Sequence, residues 1–191
     1  DYPWAGTVRL TVEESISTGW TLSLRVPGWA GEASVQVNGA VADTACVPGS
    51  YVSLQREWQA GDVVELELTM QPTLIESHPQ VDPNRGSVAI QRGPVIYCLE
   101  QHDHQANILT VQIDAKAPLT AAWNAELFGG VKTITAAGFL LDTASWGNQL
   151  YRPLGAAPDL PRQPVQLTAI PYYLWGNRGP NAMRVWIPRC L

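Results

Sequence analysis

Apolar and polar residues alternate with a period of two through much of the first half of the chain, which predicts β-strands. The clearest alternation covers residues 8–12, 22–26, 35–37, 51–55 and 63–70. Asn38-Gly39 follows the third stretch and predicts a two-residue hairpin turn, because both residues tolerate positive φ. Residues 58–62, WQAGD, predict a second turn, and 73–77 and 87–91 predict two further strands. Many short strands at this spacing predict an all-β fold of the β-sandwich or jelly-roll type.

Residues 95–99 form a different kind of strand, because they are apolar on both faces. Such a strand is typical of the centre of a sheet that is covered on both sides. The preceding Arg92-Gly93-Pro94 predicts a bend that sets which sheet this strand enters, since Gly93 permits positive φ and Pro94 fixes its own φ.

The second half is less regular. It predicts strands at 131–141, with an interruption at Gly138, at 165–175, with Pro171 at an edge or bulge, and at 183–187. Residues 119–127 have a composition that favours helix, and 143–163 predict a long irregular loop. The change of texture near residue 100 predicts two domains. The first β-sandwich takes residues 1–100 plus 182–191, and a smaller second β-sandwich takes 101–181.

Composition and charge exclude two classes of partner. The net charge is −5 without a Lys/Arg cluster, so nucleic acid is not expected. No apolar run approaches the roughly 20 residues of a membrane-spanning helix, so no membrane partner is expected. A soluble protein is expected, with the cytoplasm slightly favoured, and the sequence leaves the compartment undetermined. Only 15% of residues are charged, and a surface partly covered by another domain or subunit is one of two equally weighted explanations. An ordinary surface rich in Thr, Gln and Ser is the alternative.

Two groups of residues could bind a metal or form a disulfide. His102 and His104 flank Asp103, and two His on one side of a strand would make a partial metal site. A polar linker is the preferred interpretation, so no metal site is predicted. The three cysteines form no disulfide framework. Cys98 is predicted to be a buried thiol, and a Cys46–Cys190 bridge has no support in the sequence.

Eight tryptophans are the remaining unusual feature. Aromatic rings can anchor domain packing or stack on sugar rings, and packing is the commoner role. The candidates for packing between domains are Tyr2, Trp4, Trp29 and Trp58. The candidates for carbohydrate binding are Trp146, Tyr151, Tyr172 and Trp175, with Asn148, Asn177 and Arg178 as polar neighbours. Packing is expected for the late aromatics as well, because IPYYLW is apolar and predicts a covered strand.

A series of phrases resembles the C-terminal part of a known enzyme family. The phrases are YPWAG at 2–6, LSLRVPGWA at 22–30, VQVNG at 35–39, SYVSLQREWQAGDVVELELTM at 50–70, QRGPVIYCLE at 91–100, LTAIPYYLWGNRG at 167–179 and MRVWIP at 183–188. Their order resembles glycoside hydrolase family 127, whose type activity is β-L-arabinofuranosidase.

The resemblance implies two β-sandwich domains after an (α/α)6 catalytic barrel, with the second sandwich inserted before a last strand that returns to the first. It implies that the zinc-bound Cys nucleophile and the Glu acid/base lie in that barrel. No catalytic residue and no cofactor are therefore expected in this chain. The expected role is a non-catalytic accessory region that packs on the barrel of the same polypeptide, with a second copy as a further partner. A carbohydrate-binding module is the alternative.

Overall fold

The computed structural model describes residues 2–16, 18–156 and 159–190. The predicted all-β class is confirmed, since the described residues form β-strands and short 3-10 turns and no α-helix. The chain divides into two compact units, one ending at Gln71 and the other beginning at Pro72. No helix among the described residues is long and apolar enough to cross a membrane.

The first unit contains six strands in two antiparallel sheets. The strands are β1 (Thr7–Thr11), β2 (Trp20–Arg25), β3 (Ala33–Val37), β4 (Ala40–Val41), β5 (Tyr51–Arg56) and β6 (Val63–Leu68). One sheet has the order β1-β6-β3-β4, and the other pairs β2 with β5. Alternate residues of both sheets, such as Leu24, Val52, Val35 and Val64, enter one hydrophobic core. The predicted alternation therefore separates a core face from a solvent face.

Both predicted turns of the first unit are present. Asn38 and Gly39 have φ of 52° and 79° and join β3 to β4 as a two-residue hairpin. The Asn38 side chain donates to Oδ1 of Asp62 at 2.8 Å and accepts from the N–H of Val63 at 2.8 Å. These bonds tie the hairpin to the turn before β6. The pKa of the Asp62 carboxyl is lowered, first by the hydrogen bond from Asn38 and then by one from the N–H of Gln59.

The second unit contains nine strands joined into one sheet. The strands are β7 (Pro72–Ile75), β8 (Ser87–Arg92), β9 (Val95–Glu100), β10 (Val111–Ile113), β11 (Thr120–Asn124), β12 (Val131–Leu141), β13 (Arg162–Pro171), β14 (Met183–Arg184) and β15 (Ile187–Pro188). The 3-10 turns are Asp82–Asn84, Gln101–Asp103, Ile108–Thr110, Ala144–Trp146 and Tyr172–Leu174.

The sheet of the second unit curls around its own core. Its main path runs β10-β12-β13-β9-β8-β15, with β7, β11 and β14 paired to β8, β12 and β9. A parallel bridge between Ile113 and Arg189 links the two ends of that path. Tyr97, Leu99, Ile134, Leu167 and Ile187 are among the residues that fill the enclosed core.

Strand β9 is central and covered on both faces, as its sequence predicted. It pairs with β13 on one side, and with β8 and then β14 on the other. Tyr97 and Leu99 enter the core, while Cys98 and Glu100 on the opposite face are also fully buried. Gly93 has φ of 55° in the two-residue turn that joins β8 to β9, so the predicted bend uses the left-handed region.

The division into units differs from the predicted domains. The prediction separated residues 1–100 plus 182–191 from residues 101–181. In the structure one sheet contains strands from both predicted domains. Strand β9 pairs with β8, which precedes residue 100 in the sequence, and with β13, which follows it. The boundary between the two compact units instead lies between Gln71 and Pro72 in the sequence.

Three local predictions in the second half are wrong. Residues 119–127 contain strand β11 rather than a helix, because Thr120–Asn124 pairs along β12. Gly138 does not interrupt β12, which is continuous over Val131–Leu141. A Cβ there would lie 2.6 Å from the carbonyl oxygen of Gln112 and 2.7 Å from Cδ1 of Leu167, so glycine permits close packing. Strand β13 ends at Pro171, where a 3-10 turn begins.

Candidate functional site

A buried ion-pair network joins the end of β9 to the segment after β13. Glu100 is fully buried, and its Oε2 accepts from Nε of Arg178 at 2.9 Å and from the nearby NH2 group of the same guanidinium. The guanidinium also donates to Oδ1 and Oδ2 of Asp103 at 2.7 Å and 2.6 Å. All three nitrogens of Arg178 are therefore engaged by two carboxylates.

The second oxygen of Glu100 is bound as fully as the first. Its Oε1 accepts from the N–H of Gly176 and from Nδ2 of Asn181, both at 3.0 Å. Oδ1 of Asn181 in turn accepts from the N–H of Gln101 at 3.1 Å. The network therefore fixes residues 176–181 against the 3-10 turn Gln101–Asp103 through backbone and side-chain bonds.

The electrostatics of this network favour the charged forms. Burial by itself would raise the pKa of Glu100, but hydrogen bonds from Asn181, Gly176 and Arg178 outweigh it and lower the pKa. The pKa of Arg178 is raised, first by its hydrogen bonds to Asp103. Glu100 is therefore a carboxylate at neutral pH, bound on both oxygens, and it is not poised to donate or accept a proton in a reaction.

His104 has a structural role that its sequence context did not indicate. Its Nδ1 lies 2.9 Å from the carbonyl oxygen of Glu100, and its Nε2 accepts from the N–H of Thr168 at 3.0 Å. With Nδ1 as the donor, both ring nitrogens are used to bind the backbone of β9 and β13. His102 is exposed on the 3-10 turn, so the two imidazoles do not share the strand geometry that a two-His site requires.

The cysteines and other possible metal ligands of this chain do not form a zinc–thiolate centre among the described residues. The family resemblance implies such a centre in the catalytic barrel. Within the described residues, no group of three or more His, Cys, Asp or Glu side chains is arranged to hold a metal ion. Cys46, Cys98 and Cys190 are all free thiols, so the Cys46–Cys190 bridge does not form. Burial and then the nearby Glu100 and Asp103 raise the pKa of Cys98 to about 12, which keeps the thiol neutral.

The late aromatic residues are exposed, and the prediction of a covered strand is wrong for them. Tyr172, Tyr173 and Trp175 are 46%, 59% and 42% exposed. They lie on or directly after the 3-10 turn Tyr172–Leu174, which begins where Pro171 ends β13. The rings of Tyr172 and Trp175 are parallel within 5°, with centroids 6.5 Å apart. We call these three residues the aromatic turn.

The other two carbohydrate candidates lie in the long loop after β12. The guanidinium carbon of Arg152 lies 3.8 Å from the ring centroid of Trp146, so it covers one face of that ring. The indole N–H of Trp146 donates to the carbonyl oxygen of Gln149 at 2.5 Å. Tyr151 is 89% exposed. Trp146 and Arg152 also line an open cavity of about 500 Å³ together with Asp159 and Arg162.

The four candidates for packing between domains differ in exposure. Trp58 is only 3% exposed in the core of the first unit, where its indole N–H donates to the carbonyl oxygen of Trp20 at 3.1 Å. Trp29 is half-buried against the same core. Tyr2 is 49% exposed and Trp4 is half-buried. Trp58 is therefore a core residue, while Tyr2 remains accessible.

Sequence reasoning missed the network around Glu100. It named Arg178 and Asn177 only as polar neighbours of candidate sugar-binding aromatics. In the structure Arg178 is bound by Glu100 and Asp103, and Nδ2 of Asn177 donates to the carbonyl oxygen of Leu174 at 2.9 Å. One signal could have found it. QRGPVIYCLE ends with a carboxylate directly after a strand that is apolar on both faces, and LTAIPYYLWGNRG supplies an arginine that can neutralise it.

Comparison with known protein families identifies the family of the chain. Residues 1–70 match the family model described as "Beta-L-arabinofuranosidase, GH127 middle domain", and residues 72–188 match "Glycoside hydrolase family 127 C-terminal domain". These boundaries coincide with the division into two compact units between Gln71 and Pro72. The chain belongs to glycoside hydrolase family 127.

Individual relatives support the same assignment. The chain is 32% identical over 197 residues to a non-reducing end β-L-arabinofuranosidase of Bifidobacterium longum subsp. longum, covering 97% of this chain and 29% of that protein. It is similar to the crystal structure of a GH127 β-L-arabinofuranosidase from Geobacillus stearothermophilus T6, with a TM-score of 0.90, 40% identity and coverage of 99% of this chain and 29% of that one. Another solved structure, of a GH127 β-arabinofuranosidase, gives a TM-score of 0.84 and 31% identity over 99% of this chain and 30% of that one. The chain spans less than a third of the length of these relatives.

Proposed function

We propose that this chain is a non-catalytic accessory region of a family 127 glycoside hydrolase of the β-L-arabinofuranosidase type. It packs on an (α/α)6 catalytic barrel of the same polypeptide, and a second copy of the protein is a further candidate partner. The observation that carries the proposal is the state of Glu100. This fully buried carboxylate has both oxygens bound and is neutralised by Arg178, so it serves packing rather than acid–base chemistry.

Two further observations support an accessory role. The matched family models describe a middle and a C-terminal domain. The similar Geobacillus enzyme is more than three times as long as the region that this chain covers.

Activity of the isolated chain tests the first half of the proposal. Assays with aryl β-L-arabinofuranosides and arabinose disaccharides, with and without added zinc, are expected to show no turnover. Turnover that survives repurification and is lost on substituting a residue of this chain would contradict the proposal.

A graft tests the packing half. In the Geobacillus relative, the matching region is deleted or replaced by this chain. Deletion is expected to abolish activity or to lower the melting temperature, and the graft is expected to restore both in part. If the enzyme without this region kept its activity and melting temperature, the region would not be needed by the rest of the protein.

A carbohydrate-binding module is the second candidate function. The parallel, half-exposed rings of Tyr172 and Trp175 favour it, because exposed aromatic faces can stack on sugar rings. Calorimetric titration of the chain with arabinan and arabinose oligosaccharides distinguishes the two functions. The accessory role predicts no saturable heat at millimolar ligand, whereas binding that is lost in Trp175→Ala would favour the module.

A further inference from the structure

The aromatic turn presents three large side chains to solvent within four residues. Tyr172, Tyr173 and Trp175 are each more than 40% exposed. Tyrosine and tryptophan are the residue types that contribute most to binding at protein interfaces, because each offers a large apolar area with one polar group. Three of them together on one turn indicate an interaction surface.

Hydrogen bonds fix the backbone of the aromatic turn and of the residues that follow it to the end of β9. The N–H of Trp175 donates to the carbonyl oxygen of Tyr172 at 3.1 Å. One residue later, the N–H of Gly176 donates to Oε1 of the fully buried Glu100, and Arg178 then closes the ion pairs to Glu100 and Asp103. A surface that is fixed before binding loses less conformational entropy when a partner binds.

The surrounding polar groups favour a protein partner over a sugar. Sugar recognition requires side chains that can exchange hydrogen bonds with hydroxyl groups. Arg178 has all three nitrogens committed to carboxylates, and Nδ2 of Asn177 is bound to the carbonyl oxygen of Leu174. Nδ2 of Asn181 donates to Glu100 and to the carbonyl oxygen of Gly179. The aromatic turn therefore offers rings, two phenol groups and an indole N–H, but few free polar side chains around them.

We propose that the aromatic turn docks on the N-terminal catalytic region of the same polypeptide. The inference rests on the proposed accessory function and names the surface that performs it. The comparisons support this occupant, because the Geobacillus relative is more than three times as long as the region matched here, and this chain matches the family models for a middle and a C-terminal domain. The complementary face is apolar and carries backbone carbonyl or carboxylate acceptors for the phenol groups and the indole N–H.

Tyrosine labelling tests this directly, because the chain carries its own controls. Tyrosines are acylated with N-acetylimidazole and quantified by mass spectrometry, in the isolated chain and in the Geobacillus graft. Labelling of Tyr172 and Tyr173 is expected to fall at least about fivefold in the graft, as residues central to an interface lose solvent. Tyr151, which is 89% exposed, should label equally in both, and Tyr97, at 1%, should label in neither.

The outcomes separate the inference from the accessory role. A stable, active graft in which Tyr172 and Tyr173 stay as reactive as Tyr151 would overturn the inference and leave the accessory role intact. A graft in which the chain melts independently of the rest would overturn both. Protection of Tyr172 in the isolated chain by arabinose oligosaccharides, or by raising its own concentration, would instead assign the surface to a sugar or to a second copy.

A substitution gives a second measurement that does not depend on labelling. Trp175→Glu is expected to leave the melting temperature of the isolated chain unchanged within about 2 °C, as is usual for exposed positions. The same substitution in the graft should lower its melting temperature by several degrees, because a charge would be buried at the interface. Equal effects in both proteins would overturn the inference.

Discussion

Arg178 donates from Nε to Oε2 of Glu100 at 2.9 Å across 78 residues of sequence, and the carboxylate it binds is fully buried. This pair ties the segment after β13 to the end of β9, where Cys98 and Glu100 are buried on the face opposite the main core. The pair also positions the aromatic turn, since Gly176 and Arg178 both bind Glu100.

Removal of Arg178 is expected to destabilise the chain strongly. Arg178→Met leaves Glu100 as a buried charge without its cation, which costs roughly 3–5 kcal/mol of unfolding free energy. Arg9→Met is the matched control, because Arg9 pairs with Glu65 at 3.3 Å while 64% of its side chain is exposed. Such a surface pair contributes less than about 1 kcal/mol. Urea unfolding of both variants measures the difference, and equal small losses would show that the buried pair is not important for stability.

The same network predicts a specific response to acid. The folded-state pKa of Glu100 lies below its ordinary value of 4.5, so its contribution to stability is fully present above the unfolded pKa. The contribution is lost as the pH falls through the lowered folded pKa. Glu100→Gln should therefore be clearly less stable than the wild type at about pH 7, and the gap should narrow toward about pH 3. A gap that stays constant with pH would contradict the linkage.

How much of this could be predicted depends on the range of the interactions. Short-range chemistry was sufficient for the Asn38-Gly39 hairpin and for the alternating strands β2 and β5, because turn residues and period-two patterns act locally. The prediction that β9 is covered on both faces also followed from its own residues. The Glu100–Arg178 pair, in contrast, joins residues 78 positions apart, and no local pattern indicates which carboxylate an arginine will meet.

The wrong predictions have the same physical origin. The composition of residues 119–127 favours helix, but Thr120–Asn124 gains ladder hydrogen bonds from β12, and tertiary pairing overrides weak local propensity. IPYYLW is apolar enough for a covered strand, but Pro171 ends β13 and turns the aromatic rings outward. The sequence alone could not predict that these rings are exposed, because an apolar run is equally compatible with a buried strand and with an exposed binding surface.

Gly93 provides a test of the turn between β8 and β9. Its φ of 55° lies in the left-handed region, where a β-branched residue is strained. Gly93→Val should therefore destabilise the chain by about 1–3 kcal/mol. Gly28→Val is the control, because a Cβ at Gly28 meets nothing within 4 Å and its φ is not positive. Thermal melting of the two variants is the measurement, and an unchanged melting temperature for Gly93→Val would remove the special role of the turn.

Gly138 tests a different property, the close approach of neighbouring strands. An added Cβ would lie 2.6 Å from the backbone oxygen of Gln112, so Gly138→Ala forces β10 and β12 apart. Overpacking of this kind costs about 1–3 kcal/mol. Ala137→Ser, at the adjacent exposed position, should change the unfolding free energy by less than about 0.5 kcal/mol. Equal effects of the two substitutions would show that the approach of the strands is not limiting.

Cys98 offers a probe of the segment that the network holds in place. Its side chain is fully buried, and burial followed by the nearby Glu100 and Asp103 raises its pKa to about 12. A thiol reacts as the thiolate, so Cys98 should resist a disulfide reagent in the native protein. Cys46 and Cys190 are half-buried and free, and they should react first. Arg178→Met should then expose Cys98 by loosening residues 176–181, and its labelling rate should rise well before global unfolding. If Cys98 in this variant reacts only when the whole chain unfolds, the network does not control that face of β9.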